Sequence, residues 1–270
     1  MMGFVIFVET RKYAMINASL CDEILVLEFA RPEKKNAFTV AMYTELSQAL
    51  EAADQNPAVK VIVLHGAGDA FSAGNDLHDF LAVDRTIEAS PGIKLLRTFS
   101  RLEKPLIAAV NGIAVGIGAT LLFHCDLVYA QSSARLIFPF VPLGLVPEGA
   151  SSLLLPQLVG HQMASEIFFF GEPVSAQAAH TMGLVNKVLT DTPVLEFALE
   201  QAARITHMST GSIRHTKALL KSRVAPLKSD VHDRIEAEGV IFNNRLKGPA
   251  AQEAIAAFMG KRAPNFTGMD

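Results

Sequence analysis

The segment from Lys104 to Ala130 constrains the fold more than any other part of the sequence. It reads KPLIAAVNGIAVGIGATLLFHCDLVYA, an apolar run that meets Asn111-Gly112 and then Gly116 and Gly118 at the start of a second apolar run. Glycine permits backbone turns that other residues resist, and it lets a ligand approach the main chain closely. The helix predicted after these glycines begins with unpaired N–H groups, which attract negative charge. Taken by itself, the segment is more typical of a purely structural, buried strand–loop–helix unit without chemistry.

Strand-like and helix-like patterns alternate along the first two thirds of the chain, which favours an α/β core. The predicted strands are Glu23–Ala30, Val59–His65, Leu106–Val110, Asp126–Ala130, Ala134–Phe138 and Leu184–Leu189. A helix with Thr39 as its N-cap is predicted over Val40–Asp54, and another over Ile93–Leu102. The last third carries mainly helical periodicity, in the segments Pro193–His207, Ser209–Lys221, Ser229–Leu246 and Pro249–Met259.

Composition excludes several classes of function. The net charge of -3 and the lack of a basic run argue against nucleic acid and acidic membranes as partners. Cys21 and Cys125 are too few for a disulfide framework, and the eight His residues form no metal-binding motif. No apolar run reaches the roughly 18 residues of a membrane span. We expect no metal and a reducing, cytoplasmic location.

The first residues, MMGFVIFVETRKY, do not have the order of a secretory signal, because their positive charges follow the apolar run. Two interpretations stay open: an additional strand, or an upstream start read before Met15.

Two backbone N–H groups are candidate ligand donors. In FSAGNDL, Phe71 to Leu77, Gly74 permits an unusual backbone angle that would turn the N–H of Asn75 into a cleft. The N–H of Ile117, after Gly116, lies at the start of the predicted glycine-entered helix. Two such donors converging on one oxygen would form an oxyanion hole. Each segment taken alone is more typical of an ordinary turn, and the sequence does not establish their convergence.

Glu148, in VPEGASS, is the candidate acid. A carboxylate beside proline at a helix start is often structural, for electrostatic reasons. The neighbouring Leu143, Leu145 and Val146 make its surroundings apolar, however, and such surroundings raise the pKa of a carboxyl group. A raised pKa suits a group that takes and returns a proton near neutral pH.

These segments together resemble the crotonase (enoyl-CoA hydratase/isomerase) superfamily. The resemblance runs from EILVLEFARPEKKNAFT through FSAGNDL and NGIAVGIGATLLFHCDLVYA to FMGKRAPNF, nearly the whole chain. It implies an α/β fold made of a spiral of ββα units, with a C-terminal helical trimerisation region. It divides the chain into an N-terminal extension (1–14), a spiral core (15–200) and a helical oligomerisation region (201–270).

The resemblance also implies an acyl-CoA thioester as substrate and a homotrimer or hexamer as the assembly, with no separate cofactor. It assigns the oxyanion-hole donors to Asn75 and Ile117, the latter following Gly116. It places the CoA moiety against a wall of residues from two loops, which are Lys35, Ala37, Ser72, Ala73, Asp76 and Leu77.

Two departures from the family pattern decide which activity is expected. Hydratases of the family carry two glutamates, where this chain has Thr120 and Phe140. Adding water to a double bond needs a group that activates the water and a group that supplies a proton, and these two residues serve poorly for either. Ordinary hydratase activity is therefore not expected.

Glu148 occupies the position of the single acid of the peroxisomal-type Δ3,Δ2-enoyl-CoA isomerases, whose LGLVPEGASSLLLPQLVG and FFFGEPVSAQAAHTMGLVNKV segments are similar. This resemblance implies movement of a 3-enoyl double bond into conjugation, a reaction of fatty-acid β-oxidation. Two alternatives remain open at this point. One is hydration or another crotonase-type reaction, and the other is a non-catalytic acyl-CoA-binding scaffold.

Overall fold

Eleven strands form two sheets in the computed structural model, which describes residues 9–12, 14–76, 79, 90–222, 225–267 and 269. The strands are β1 (Glu9–Lys12), β2 (Ile16–Cys21), β3 (Ile24–Phe29), β4 (Val61–Gly66), β5 (Ala70–Ser72), β6 (Leu106–Val110), β7 (Ile113–Val115), β8 (Leu127–Gln131), β9 (Arg135–Ile137), β10 (Val174–Ser175) and β11 (Lys187–Leu189). The larger sheet has the order β1-β2-β3-β4-β6-β8-β11, and the smaller has the order β10-β9-β7-β5.

Ten α-helices lie in the same described residues. They are α1 (Val40–Gln55), α2 (Pro91–Arg101), α3 (Ile117–Thr120), α4 (Ser151–Val159), α5 (His161–Phe170), α6 (Ala176–Thr181), α7 (Val194–Thr206), α8 (Thr210–Ser222), α9 (Ala225–Leu246) and α10 (Pro249–Met259). Each predicted helix and strand is present, with its ends displaced by a few residues at most. The extra N-terminal strand is present as β1, while residues 1–8 and 13 lie outside the described residues.

From β4 to β9, successive strands alternate between the two sheets. The strands β4, β6 and β8 pair in parallel in the larger sheet, and β5, β7 and β9 pair in parallel in the smaller one. Each repeat of the spiral therefore adds one strand to each sheet. A helix follows the strand of the smaller sheet in two repeats, where α2 comes after β5 and α3 comes after β7. This arrangement confirms the predicted spiral of ββα units.

Both faces of the larger sheet are covered, which explains the nearly continuous apolar strands. All five residues of β6 are buried. One face carries Ile62 and Leu64 of β4 into the main core with α1 and α2. The opposite face carries Val61 and Val63 against α7, where Ala198 is among the helix residues in contact. Strands buried on both faces fix the positions of the loops at their ends.

The helices α8 and α9 fold back onto the core. Lys217 of α8 is buried and donates hydrogen bonds to the Lys104 carbonyl and to Asp126, each at 2.6 Å. Glu236 of α9 forms an ion pair with Arg97 of α2 at 2.6 Å. The C-terminal helices thus reach the loops that lead into β6 and β8 and the helix that follows β5. Within the described part of the chain, no helix is both long and apolar enough to cross a membrane.

Candidate active site

The loop after β5 presents the backbone N–H of Asn75. Gly74, at φ +85°, accepts a hydrogen bond from the Phe38 N–H at 2.7 Å, and the Asp76 N–H donates to the Phe38 carbonyl at 2.9 Å. These two bonds form a parallel bridge between Phe38 and Asn75. In such a bridge the Asn75 N–H points away from Phe38. It has no hydrogen-bond partner among the described residues.

The loop between β7 and α3 presents the second N–H. Gly116, at φ +53°, donates its N–H to the Ile137 carbonyl, while its own carbonyl accepts the N–H groups of Ala119 and Thr120, all at 2.9 Å. The helix α3 therefore starts at Ile117, whose N–H is one of the orphan donors of a helix start. In the described ranges this N–H also lacks a partner. The expected glycine-entered helix is short, and it continues as a 3-10 turn over Leu121–His124.

The two loops are in direct contact just before their donors. A Cβ placed on Gly74 would lie 2.8 Å from the Val115 carbonyl oxygen and 3.8 Å from the Gly116 nitrogen. Only a residue without a side chain allows the two backbones to approach this closely. Asn75 and Ile117 line the same cleft, of about 70 Å³, together with Glu148. The sequence-predicted donors and acid thus meet at one place.

The Glu148 carboxyl group has an unusual protonation behaviour. Thr120 donates its hydroxyl to Oε1 of Glu148. Burial raises the pKa of Glu148 to about 8, the Thr120 hydrogen bond opposes this rise, and the nearby Glu238 carboxylate adds to it. With its pKa near neutral pH, this carboxyl group can both accept and return a proton.

Two side chains that sequence analysis missed fix the backbone around Glu148. His124 is buried, and burial lowers its pKa to about 4, so the ring is neutral at pH 7. Its Nε2 lies 2.8 Å from the Gly149 carbonyl oxygen, which can only accept, so Nε2 carries the proton. Glu238 of α9 accepts the N–H of Ala150 at 2.6 Å and of Ser152 at 2.9 Å.

These contacts hold a strained backbone. Gly149 and Ala150 have φ values of +70° and +59°. The left-handed region costs a residue with a Cβ roughly 1–2 kcal/mol, so Ala150 stays there only because its surroundings compensate. Local sequence patterns carry no signal for Glu238, because it lies 88 residues from Ala150. For His124, the only signal available in the sequence was its position, four residues after Thr120 in a predicted helical segment.

The predicted CoA wall is an ordered pair of loops. The Ala73 N–H donates to the Lys35 carbonyl at 2.8 Å, and the Ser72 hydroxyl donates to the Asn36 carbonyl at 2.9 Å. The Lys35 ammonium is exposed and pairs with Asp69 at 2.5 Å. An exposed pair of this kind contributes little to stability because water screens both charges, so Lys35 can exchange partners readily.

Arg31 joins this wall to the first donor loop. Its guanidinium donates to the Ala37 carbonyl at 2.6 Å and to the Asp76 carboxylate at 3.0 Å. The predicted contacts Ala37 and Asp76 therefore lie beside each other. Leu77, the remaining predicted wall residue, lies outside the described residues.

The positions of the two absent hydratase acids differ in their surroundings. Phe140 is 4% exposed and packs against Phe168 with ring centroids 6.3 Å apart, so it is a core side chain. Thr120 is buried and bonded to Glu148. Among the described residues that line the cleft, Glu148 carries the only carboxyl group. The site combines paired main-chain donors with one acid.

Comparison with known proteins places this arrangement in a family. The sequence model described as enoyl-CoA hydratase/isomerase matches residues 20–269. A crystal structure of an enoyl-CoA hydratase/isomerase from Pseudoalteromonas atlantica T6c is 38% identical, with a TM-score of 0.88 over 93% of this chain and 99% of that chain. Fold and site define an acyl-CoA enzyme of the crotonase type. The chain belongs to the enoyl-CoA hydratase/isomerase family.

Named relatives include both hydratases and isomerases. The 2,3-dehydroadipyl-CoA hydratase of Escherichia coli (strain K12) is 33% identical, and the match covers 91% of this chain and 95% of that protein. Enoyl-CoA delta isomerase 2 of Rattus norvegicus is 34% identical over 88% of this chain and 62% of that longer protein. These similarities establish the family and its enoyl-CoA chemistry. They do not distinguish hydration from isomerisation, so the choice between the two rests on the site residues.

Proposed function

We propose that this protein is a Δ3,Δ2-enoyl-CoA isomerase, which converts 3-enoyl-CoA to 2-trans-enoyl-CoA. One observation carries the proposal: among the residues that the structure describes, a single carboxyl group, that of Glu148, lines a cleft beside two main-chain donors without partners, Asn75 and Ile117. A double-bond shift needs one group that removes a proton and returns it elsewhere, so a single acid is sufficient.

The proposed mechanism follows from these positions. The thioester oxygen accepts hydrogen bonds from both N–H groups. The C2 protons become more acidic because the negative charge of the dienolate intermediate can reside on that oxygen. Ionised Glu148 takes a proton from C2, and the resulting dienolate is stabilised by Asn75 and Ile117. Glu148 then returns the proton to C4. The reaction as proposed needs no cofactor besides the CoA carried by the substrate.

The CoA portion is proposed to lie along the wall formed by the two loops. The carbonyl oxygens of Lys35 and Ala37, beside Ser72 and Ala73, can each accept a further hydrogen bond, which suits an adenine edge or a pantetheine amide, and the Lys35 ammonium suits a phosphate. Asp76, Leu77 and Gly116 complete the proposed contacts. Support for this placement comes from the ordered contact of the two loops.

Hydration is the second candidate, since a relative named as a hydratase is about equally similar. It requires a second acid or base. Glu238 is buried near the site, but both of its oxygens accept backbone N–H groups, so it is engaged in holding the chain. A binding protein without catalysis is the third candidate.

One assay separates the three candidates. Purified protein mixed with 3-hexenoyl-CoA is expected to give rising absorbance from the conjugated thioester. In Glu148→Gln this rate should fall by about 10²–10⁴, the usual contribution of general acid–base catalysis. Glu172→Gln, at an exposed position, is the control and should keep the wild-type rate. Turnover of the Glu148→Gln protein within tenfold of wild type would remove Glu148 from the role.

The remaining outcomes identify the alternatives. Addition of water to 2-hexenoyl-CoA, with no turnover of the 3-enoyl isomer, would favour the hydratase. Acyl-CoA binding with no turnover of either substrate would favour the scaffold.

We also propose that the protein assembles into a homotrimer or hexamer in the cytoplasm. Large apolar side chains are exposed on the C-terminal helices, at Leu219, Leu220, Phe258 and Met259. Exposed apolar clusters of this kind favour self-association. Cys21 and Cys125 are free, which fits a reducing compartment. Light scattering of the purified protein, with Leu219→Glu as the disrupting variant, tests the assembly.

A further inference from the structure

The cleft carries amide side chains, where a simple alkyl chain would need only apolar contacts. Its polar lining consists of Tyr43, Asn75, Ser90, Glu148 and Asn243. The Asn75 side chain accepts the Tyr43 hydroxyl through Oδ1, which leaves its Nδ2 group as a donor. Hydrogen bonding thus sets the orientation of this amide.

Asn243 of α9 adds a second unused donor. Its Nδ2 is buried and has no hydrogen-bond partner in the part of the chain that the structure describes. A buried donor without a partner is costly, so such a group is usually explained by something that binds to it. Asn243 lines the same cleft as Asn75 and Glu148, so a bound acyl group is positioned to provide that partner.

The charge of the cleft restricts the chemistry of that partner. No Lys, Arg or His is among the described residues that line it. Glu148 lies in the cleft, and Glu238 is the residue just before Gly239, which also lines it. A carboxylate on the substrate would be desolvated beside acidic groups, and none of the described lining residues could supply a cation to pair it. The two amides therefore suit an uncharged oxygen acceptor.

We propose that the acyl group of the natural substrate carries a neutral oxygen, as an ether, hydroxyl or carbonyl, that accepts hydrogen bonds from Asn75 and Asn243. This inference rests on the proposed function, since it concerns the acyl end of the same thioester. Asn75 and Asn243 are then specificity residues for the acyl group.

Saturated thioesters test the inference without any catalytic step. Heptanoyl-CoA is compared by calorimetry with three isosteres in which one CH₂ is replaced by oxygen: 3-propoxypropanoyl-CoA, 4-ethoxybutanoyl-CoA and 5-methoxypentanoyl-CoA. At least one ether is expected to bind about 2- to 10-fold more tightly than heptanoyl-CoA, the range for one neutral hydrogen bond. If all three ethers bind no more tightly than heptanoyl-CoA, the inference is wrong.

Variants on α9 assign the preference to its donor. Asn243→Leu should abolish the preference for the ether, while Asn244→Leu, at the neighbouring exposed position, should retain it. Asn243→Ala serves the same purpose if the leucine variant does not fold. A preference that survives loss of the Asn243 amide would overturn the assignment. Since none of these ligands contains a double bond, the outcome is independent of whether the isomerase assay succeeds.

Discussion

Glu148→Gln should make the protein more stable, and increasingly so as the pH rises. The pKa of this carboxyl group is about 8 in the folded protein and 4.5 in its ordinary state. Because the folded pKa lies above the unfolded one, the folded state holds the proton more tightly. Wild-type stability therefore falls as the pH rises from about 4.5 to about 8, and is constant outside that window with respect to this group.

The size of the effect follows from the width of the window. Each pH unit inside it costs about 1.4 kcal/mol of unfolding free energy. Between pH 5 and pH 8 the stability difference between Glu148→Gln and wild type should therefore grow by about 3–4 kcal/mol. Glutamine cannot ionise, so the variant lacks this slope while it preserves the size of the side chain.

Urea unfolding at pH 5, 6, 7 and 8, at one fixed protein concentration, measures this difference. Glu172→Gln, at an exposed site, is the matched control and should run parallel to wild type. A Glu148→Gln difference that stays constant within about 1 kcal/mol over the whole range would refute the reasoning. It would mean that the Glu148 carboxyl group ionises as freely in the folded protein as in the unfolded chain.

Three further perturbations test the surroundings of the site. Gly74→Ala should lower kcat/KM at least tenfold and destabilise the fold by roughly 1–3 kcal/mol. The new Cβ would lie 2.8 Å from the Val115 carbonyl oxygen, at a residue whose φ is +85°. A wild-type rate would contradict the contact between the two donor loops. Glu238→Gln should move the kcat/KM–pH profile to lower pH, since the Glu238 charge raises the pKa of Glu148; an unmoved profile would show that the two carboxyl groups do not interact. His124→Phe should lower the free energy of unfolding, measured with urea, by about 1–3 kcal/mol, because it leaves the buried Gly149 carbonyl unpaired. It should also lower kcat more than it changes KM. Unchanged stability would show that this hydrogen bond is replaceable.

The sequence predicted elements wherever a strong local signal was present. The run LIAAV predicted β6 with both ends correct, and Pro249 marked the first residue of α10. The strands β5 and β7 were not predicted as separate elements, because three residues are too few to show a period of two. These short strands build the second sheet, so the alternation between sheets came from family resemblance and not from periodicity.

The site was predictable to the extent that its residues lie in motifs. Glu148 has apolar neighbours in sequence, and they indicated the direction in which its pKa moves, which the structure bears out. The contacts of Glu238 and His124 with the backbone beside it depend on how distant segments pack, so no local pattern contains them. The same is true of the Asn243 amide, which reaches the cleft only because α9 lies across α2.

The hydrogen bonds that Glu238 accepts tie helix α9, in the C-terminal region, to the loop that carries the proposed acid, Glu148. Without these two bonds the loop that bears Glu148 would lose its anchor and could relax out of its left-handed turn, while the Asn75 and Ile117 amides and the cleft residues of α9 would stay in place. Loss of the Glu238 carboxyl group alone should therefore lower turnover more than it lowers thioester binding.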